Sequence, residues 1–310
     1  MLSTSNLGST STVSSRLAFG GLVAIALAIF WNPLVSSFAL ALHDDQYTHI
    51  LLILPVSVAL ILLDWKPSEP SSGWGVSLGA ALLVVAALMA AVARWRSAPL
   101  SADERVSLNM FALVVWWIAA FVLCFGMRAS RRALFPLCFL FWMVPFPSSL
   151  LDPIVSWLQR GSAMAAHILF VAAGVPVQQS GVMLHIPGLT VEVAQECSSI
   201  RSSSMLLVTT MVLAQMLLRS PWRRALVIAV AIPLSVLKNG LRIFAIAMLT
   251  TRVDPSFLTG RLHNQGGIIF FLIALGAIIL LISILRRGEE KRKEKRSGSL
   301  SKGSSNLPVR

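Results

Sequence analysis

The sequence predicts an all-α polytopic membrane protein of about eight transmembrane helices, carrying an extracytoplasmic interfacial helix and a small β-hairpin cap. Three observations predict it. Apolar residues make up 56% of the 310-residue chain and charged residues only 13%, a balance that no ordinary globular domain carries. The apolar residues fall in blocks near the roughly 17–25 residues that a spanning helix needs. The cations concentrate in alternate connections between those blocks, which is the pattern of membrane topology. The formal charge of +13 is therefore spread over short loops and a tail, and no nucleic-acid partner is expected.

Residues 1–16 are rich in Ser and Thr and predict a disordered cytoplasmic N-terminus. A membrane domain follows over 17–285, with spans at about 17–38, 48–65, 75–94, 106–126, 133–151, 197–218, 225–249 and 267–285. Ala39-Leu40-Ala41 resembles a signal-peptide cleavage site, but the apolar run before it exceeds the usual 7–15 residues or so. An uncleaved first span is the preferred reading. Residues 286–310 form a basic tail suited to anionic lipid headgroups.

Orientation follows from the cations. Arg16, Lys66, the group Arg128, Arg131 and Arg132, the group Arg219, Arg223 and Arg224, and the whole tail lie on one side. The other side holds Arg94, Arg96, Arg105, Arg160, Arg252 and Arg261. The more basic side faces the cytoplasm, so both termini are inside, in a multi-pass protein of the cell (inner) membrane. Parity then keeps residues 152–196 outside, although 153–173 are fairly apolar. Ile154, Trp157, Leu158 and Gly161 recur at helical spacing with Gln159 and Arg160 on another face, which predicts an interfacial or re-entrant helix ended by Gly174. Short strands at 175–177, 182–186 and 190–193, broken at Ser180-Gly181 and Pro187-Gly188, complete the outer cap.

Ionisable side chains inside spans are costly and point to function. Cys197 and Arg201 are four apart at the outer end of the sixth span, and Lys238 and Arg242 are four apart in the outer half of the seventh, with Asn239 between them. His263 stands in the outer loop just before the eighth. A thiol beside a cation and a helix start ionises readily. A histidine can move the proton, and a guanidinium can hold an oxyanion. The set Cys197, Arg242 and His263 thus suits acyl transfer at a peptide bond, with Arg201 holding the site or a substrate carboxylate. Read singly, each has a plainer role: packing for the cysteine, as for Cys124 and Cys138, snorkelling for an arginine, a surface position for the histidine. His43, Asp44, Asp45, Tyr47 and His49 form a second outer polar cluster, substrate-facing or structural, whose spacing matches no helical His pair. No metal or cofactor is predicted, and the odd set of three cysteines forms no disulfide framework.

The runs Gly174-Val175-Pro176-Val177, Ile186-Pro187-Gly188 and Val191-Glu192-Val193, leading into Glu196-Cys197-Ser198-Ser199-Ile200-Arg201-Ser202, resemble the exosortase and archaeosortase family of integral-membrane transpeptidases. Asn239-Gly240-Leu241-Arg242-Ile243, His263, and Tyr47-Thr48-His49 followed by Pro55 extend the likeness over about 43–285. The family's usual Cys-Ser-Gly-Ile-Arg here reads Cys-Ser-Ser-Ile-Arg, with Ser199 in the glycine's place. The resemblance implies an enzyme that cuts C-terminal sorting signals of exported proteins, each a short motif such as Pro-Glu-Pro, a transmembrane helix and a basic tail. It implies a thioester on Cys197, with Arg242 and His263 completing the triad, and transfer to an unknown envelope acceptor. Glu196, Arg201, Lys238, Asn239, Tyr47 and His49 are supporting or substrate-binding candidates. An alternative from another class is a transporter or envelope/exopolysaccharide export subunit with an anion site at Lys238 and Arg242; a non-catalytic scaffold is a third.

Overall fold

The computed structural model describes residues 5–63, 73–95, 97–193, 200–253 and 267–304. It is mostly helical. In chain order the helices are α1 (Ser5–Ile29), α2 (Trp31–His43), α3 (Ile50–Leu63), α4 (Gly73–Arg94), α5 (Ala102–Arg132), α6 (Leu134–Phe139), α7 (Ser148–Ala172), α8 (Ile200–Leu217), α9 (Pro221–Arg252) and α10 (Gly267–Ser304). The chain divides into two compact units, Met1–Asp152 and Pro153–Arg310.

Among the described residues five helices, α4, α5, α8, α9 and α10, are long and apolar enough to cross a membrane, and the number rises to seven if two bent pairs each count as one span. The expected eight is thus not confirmed, and two of the expected blocks are broken for local reasons. The block 17–38 is broken between α1 and α2, which meet at 74°. Pro33, the third residue of α2, has no N–H to offer the carbonyl of Ile29 and its ring crowds that carbonyl. Arg94 fills the gap: its Nη2 donates to Ile29 O at 2.7 Å, and its guanidinium sits 5.3 Å from the Phe30 ring centre. The block 133–151 is likewise not one helix, because α6 and the 3₁₀ turn Leu140–Met143 meet α7 at 94°. Pro145 and Pro147 explain the break, since a residue before proline avoids the helical region; Val144 is extended at φ −78°, ψ 118°. The described part of α3 is a shorter apolar helix.

Two further differences concern the ends. α1 is already helical from Ser5, within the 1–16 segment expected to be disordered, and α10 continues through the basic tail to Ser304. No proline interrupts either helix. An i, i+4 pair between Arg286 and Glu290 at 3.2 Å supports the α10 extension.

In the first unit α5 is central, with Met110, Leu113, Val114, Ala119 and Ala120 buried, and α4 and α1 pack on it. Ser101 and Glu104 form a capping box at its start. Arg105 donates to the carbonyls of Ala93, Trp95, Ala98 and Leu100 and closes the turn from α4. At Gly79 a Cβ would lie 2.8 Å from Leu123 Cβ, so the two helices touch where only glycine fits.

In the second unit, Ala163, Ala166 and Phe170 of α7 pack with Leu184, Ile186 and Val193 of the cap and with Ile243 and Ala247 of α9. The cap is an antiparallel meander of β1 (Gln178–Ser180), β2 (Met183–Ile186) and β3 (Leu189–Glu192). Its turns are at Gly181 and Gly188, with φ +63° and +82°, and Gly174 ends α7 at φ +69°. The first strand lies three residues later than its expected start at 175. Pro176 cannot donate to a ladder, and Val175 and Val177 pack on the apolar cluster instead. A second cluster joins α8, α9 and α10 through Leu206, Ala214, Val227, Ala231, Ala274 and Ile278.

Candidate active site

Of the polar residues expected to converge, those described are Lys238, Asn239 and Arg242, on one turn of α9, and Arg201, in the first turn of α8. Lys238 and Asn239 are 5% and 1% exposed, so both side chains have left solvent. Such burial requires hydrogen-bond partners. Lys238 Nζ donates to Ser202 Oγ at 2.5 Å, and Ser202 is the third residue of α8. Arg242, one turn along α9, is half-buried and reaches the other way. Its Nη1 lies 3.9 Å, and its Cζ 4.0 Å, from where a Cβ on Gly267 would stand, and Gly267 is the first residue of α10. One turn of α9 therefore meets the first turns of both flanking helices.

The rotation of α9 that allows this is fixed by close packing on α7. A Cβ on Gly240 would stand 2.5 Å from Ala165 Cβ and 3.0 Å from the Ala166 nitrogen. One turn earlier, Val236 Cγ1 is 3.0 Å from the Cβ position of Gly161. Small residues at this spacing let helices approach backbone to backbone.

Arg201 is exposed in the first turn of α8, one residue before Ser202. Glu196, Cys197 and His263 lie outside the described residues, as does Ser199. Tyr47 and His49 belong to the first unit. The Tyr47 hydroxyl donates to Phe146 O at 3.5 Å, and His49, 5% exposed, packs edge-on to Trp142 at 6.1 Å. Burial pushes the Tyr47 phenol above its ordinary pKa, and the carboxylates of Asp44, Asp103 and Asp152 push it further. His43 is placed in the last turn of α2 with Nδ1 2.8 Å from Ala39 O. Cys124 is buried and Cys138 exposed, both as free thiols.

Sequence reasoning missed Ser202 and the polar turn at the start of α7. Asp103 accepts from the Ser148 backbone N–H at 2.8 Å and from its hydroxyl, and Glu104 accepts from Ser149 Oγ at 3.2 Å. The signal for Ser202 was indirect: a lysine inside a span demands an acceptor, but nothing in the chain order said which.

The Transmembrane exosortase (Exosortase_EpsH) family model matches residues 41–280. No curated protein and no solved structure matches the chain. With that match covering most of the chain and the apolar helices described above, the chain belongs to the transmembrane exosortase family and is an integral membrane protein with a sorting-related enzyme role.

Proposed function

We propose that this chain is a cysteine-dependent transpeptidase or peptidase that cleaves C-terminal sorting signals of exported proteins and transfers them to an envelope acceptor. One observation supports it most: the Lys238–Arg242 turn of α9 touches the first turns of both α8 and α10. Cys197 is three residues before α8 and His263 four before α10. Chain connectivity thus keeps them within about 11 and 14 Å of those helix starts. Those reaches are short enough for thiol, imidazole and guanidinium to meet around one scissile bond.

In this reading the Cys197 thiolate attacks the carbonyl carbon at the sorting motif, and the carbonyl oxygen gains negative charge beside the Arg242 guanidinium. The C–N bond breaks, His263 gives its proton to the departing amine, and a thioester remains on Cys197. An acceptor nucleophile, or water, then attacks the thioester carbonyl. His263 takes its proton, and the thiolate leaves. Arg201, Lys238, Asn239, Glu196, His49 and Tyr47 support the site or bind substrate. The domain reading that accompanies this places 17–285 as the membrane domain, 152–196 as an outer cap, both termini in the cytoplasm and the site on the extracytoplasmic face of the cell membrane.

The test is co-expression with a tagged exported protein that ends in a short motif, an apolar helix and a basic tail. Cys197→Ala and His263→Ala abolish processing while the protein still inserts, and Arg242→Ala lowers it roughly 10²–10³-fold. Full processing by the Cys197 variant refutes the proposal.

A further inference from the structure

The mechanism above uses Cys197, Arg242 and His263, gives Lys238 only a supporting place and gives Ser202 none. Yet the hydrogen bond between those two residues joins the polar turn of α9 to the start of α8. A residue that merely filled this space would be apolar. An ammonium taken out of water is destabilising, and Arg242 one turn away on the same face repels it. Methionine or leucine would occupy the volume at lower cost. The anchor is defined by close packing of α9 on α7 at Gly240, where an added Cβ would stand 2.5 Å from Ala165 Cβ and 3.0 Å from Ala166 N. The recipient lies in the first turn of α8, five residues after Cys197. A bond from α9 to that turn sets the height and rotation of the first turn of α8.

We propose that Lys238 and Ser202 are a positioning pair: Lys238, in α9, holds the first turn of α8 through the Ser202 hydroxyl and so sets how that turn, which Cys197 precedes in sequence, stands against Arg242. This deepens the site reading given above and rests on it. The mechanism gives neither side chain a bond to the reacting atoms, so the pair acts on alignment, and alignment errors near 1 Å cost rate steeply.

The experiment uses the full-length chain in membranes and a tagged reporter ending in Pro-Glu-Pro, an apolar helix and a basic tail. Ser202→Ala keeps the charge and removes the acceptor; Lys238→Met keeps most of the volume and removes the donor. Each lowers kcat for reporter cleavage roughly ten- to hundredfold, with KM changed less than about threefold. The double variant is no slower than the slower single, and Ser202→Thr, which restores a hydroxyl, recovers most of the rate. Full activity in Ser202→Ala, a failed rescue by Ser202→Thr, or a double variant whose loss is the product of the two single losses overturns the pairing. Alkylation of Cys197 by a membrane-impermeant maleimide, in a Cys124→Ala/Cys138→Ala background and per inserted molecule, gives a second reading. Its rate changes with either substitution, and an unchanged rate in both overturns the proposal. If Cys197→Ala still cleaves the reporter, the site reading itself has failed. If Cys197→Ala is inactive while Ser202→Ala is fully active, the pair alone has failed.

Discussion

Replacing Gly240 by alanine sets two opposed effects against each other, and the structure decides the sign. In an open helix the change is stabilising by about 0.5–1 kcal/mol, because glycine loses more backbone freedom on ordering. At Gly240 the new Cβ would stand 2.5 Å from Ala165 Cβ, 3.0 Å from Ala166 N and 3.1 Å from Ala165 C. Carbon atoms settle at about 3.5–4.0 Å, so α7 and α9 must part by about 1 Å. Two of the three obstructing atoms are backbone and cannot rotate away. Overpacking of this kind costs about 1–3 kcal/mol, which exceeds the gain in helix propensity. The net expectation is a loss of stability.

Thermal unfolding of the detergent-solubilised protein measures the outcome, with Gly276→Ala as control. Nothing stands within 4 Å of the Cβ position at Gly276, so that variant keeps the propensity gain alone and unfolds at a higher temperature. Gly240→Ala unfolds a few degrees lower than the parent. Adding Ala165→Gly removes the nearest obstruction but leaves the two backbone contacts, so it restores part of the loss. The separation also displaces Lys238 and Arg242, which stand two residues either side of position 240, and cleavage of the sorting-signal reporter drops as well. A Gly240→Ala protein as stable as the control, with full cleavage, refutes the reasoning.

Three other outcomes follow from local geometry. Arg94→Met leaves the Ile29 carbonyl without its 2.7 Å donor and destabilises the first unit by about 0.5–1.5 kcal/mol, an effect that shrinks in a Pro33→Ala background where the helix supplies its own N–H; equal losses in both backgrounds in a double-mutant cycle contradict the account of the bend. Gly267→Ala is tolerated, since its Cβ meets Arg242 at ordinary contact distance of 3.9 Å, whereas Gly267→Leu displaces the guanidinium and lowers reporter cleavage with insertion unchanged. The chain has one tyrosine, so phenolate absorbance reports Tyr47 alone; its midpoint lies above the ordinary value of about 10 and falls in Asp44→Asn. Because the folded pKa is raised, the native state holds the proton longer than the unfolded one, and stability is lost as pH rises through and beyond the unfolded value. Tyr47→Phe removes that alkaline loss, and a wild-type midpoint at or below the ordinary value contradicts the burial argument.

The parts of this fold that depend on neighbours in sequence were legible, and the parts that depend on distant partners were not. Gly174, Gly181 and Gly188 announce their turns because positive φ is a property of one residue. Lys238 and Arg242 announce a shared face because 3.6-residue periodicity is local. The bends at Pro33 and at Pro145 and Pro147 were in plain sight, but a hydropathy window averages over them. An apolar run is as apolar bent as straight. Arg94 illustrates the opposite failure: as a charge it counts toward topology, and only its contact with Ile29 reveals a clamp. Ser202 is 36 positions from Lys238. No local rule links a serine to a lysine over that distance, so the partner of the buried Lys238 emerged only from tertiary structure.

The arrangement also explains why costly charges are tolerated here. α8, α9 and α10 are zoned along their lengths. Residues such as Leu206, Ala214, Val227, Ala231, Ala274 and Ile278 set the spacing of the three helices by apolar packing. Beyond that zone, at the far end of α9, a clasp closes the bundle: Glu289 accepts from the backbone N–H groups of Arg219 and Ser220 at 3.1 and 3.0 Å, and Arg224 donates to Gln215 at 2.7 Å. With spacing fixed by the apolar zone and one end fastened, the other end, where α8 and α10 begin, can carry Lys238 and Arg242 without being held together by them. A buried ammonium in a bundle's only contact zone would weaken the bundle. Placed past a packed zone, the same group is free of that burden, and that is the physical reason the polar turn of α9 is compatible with the proposed site and need not serve stability.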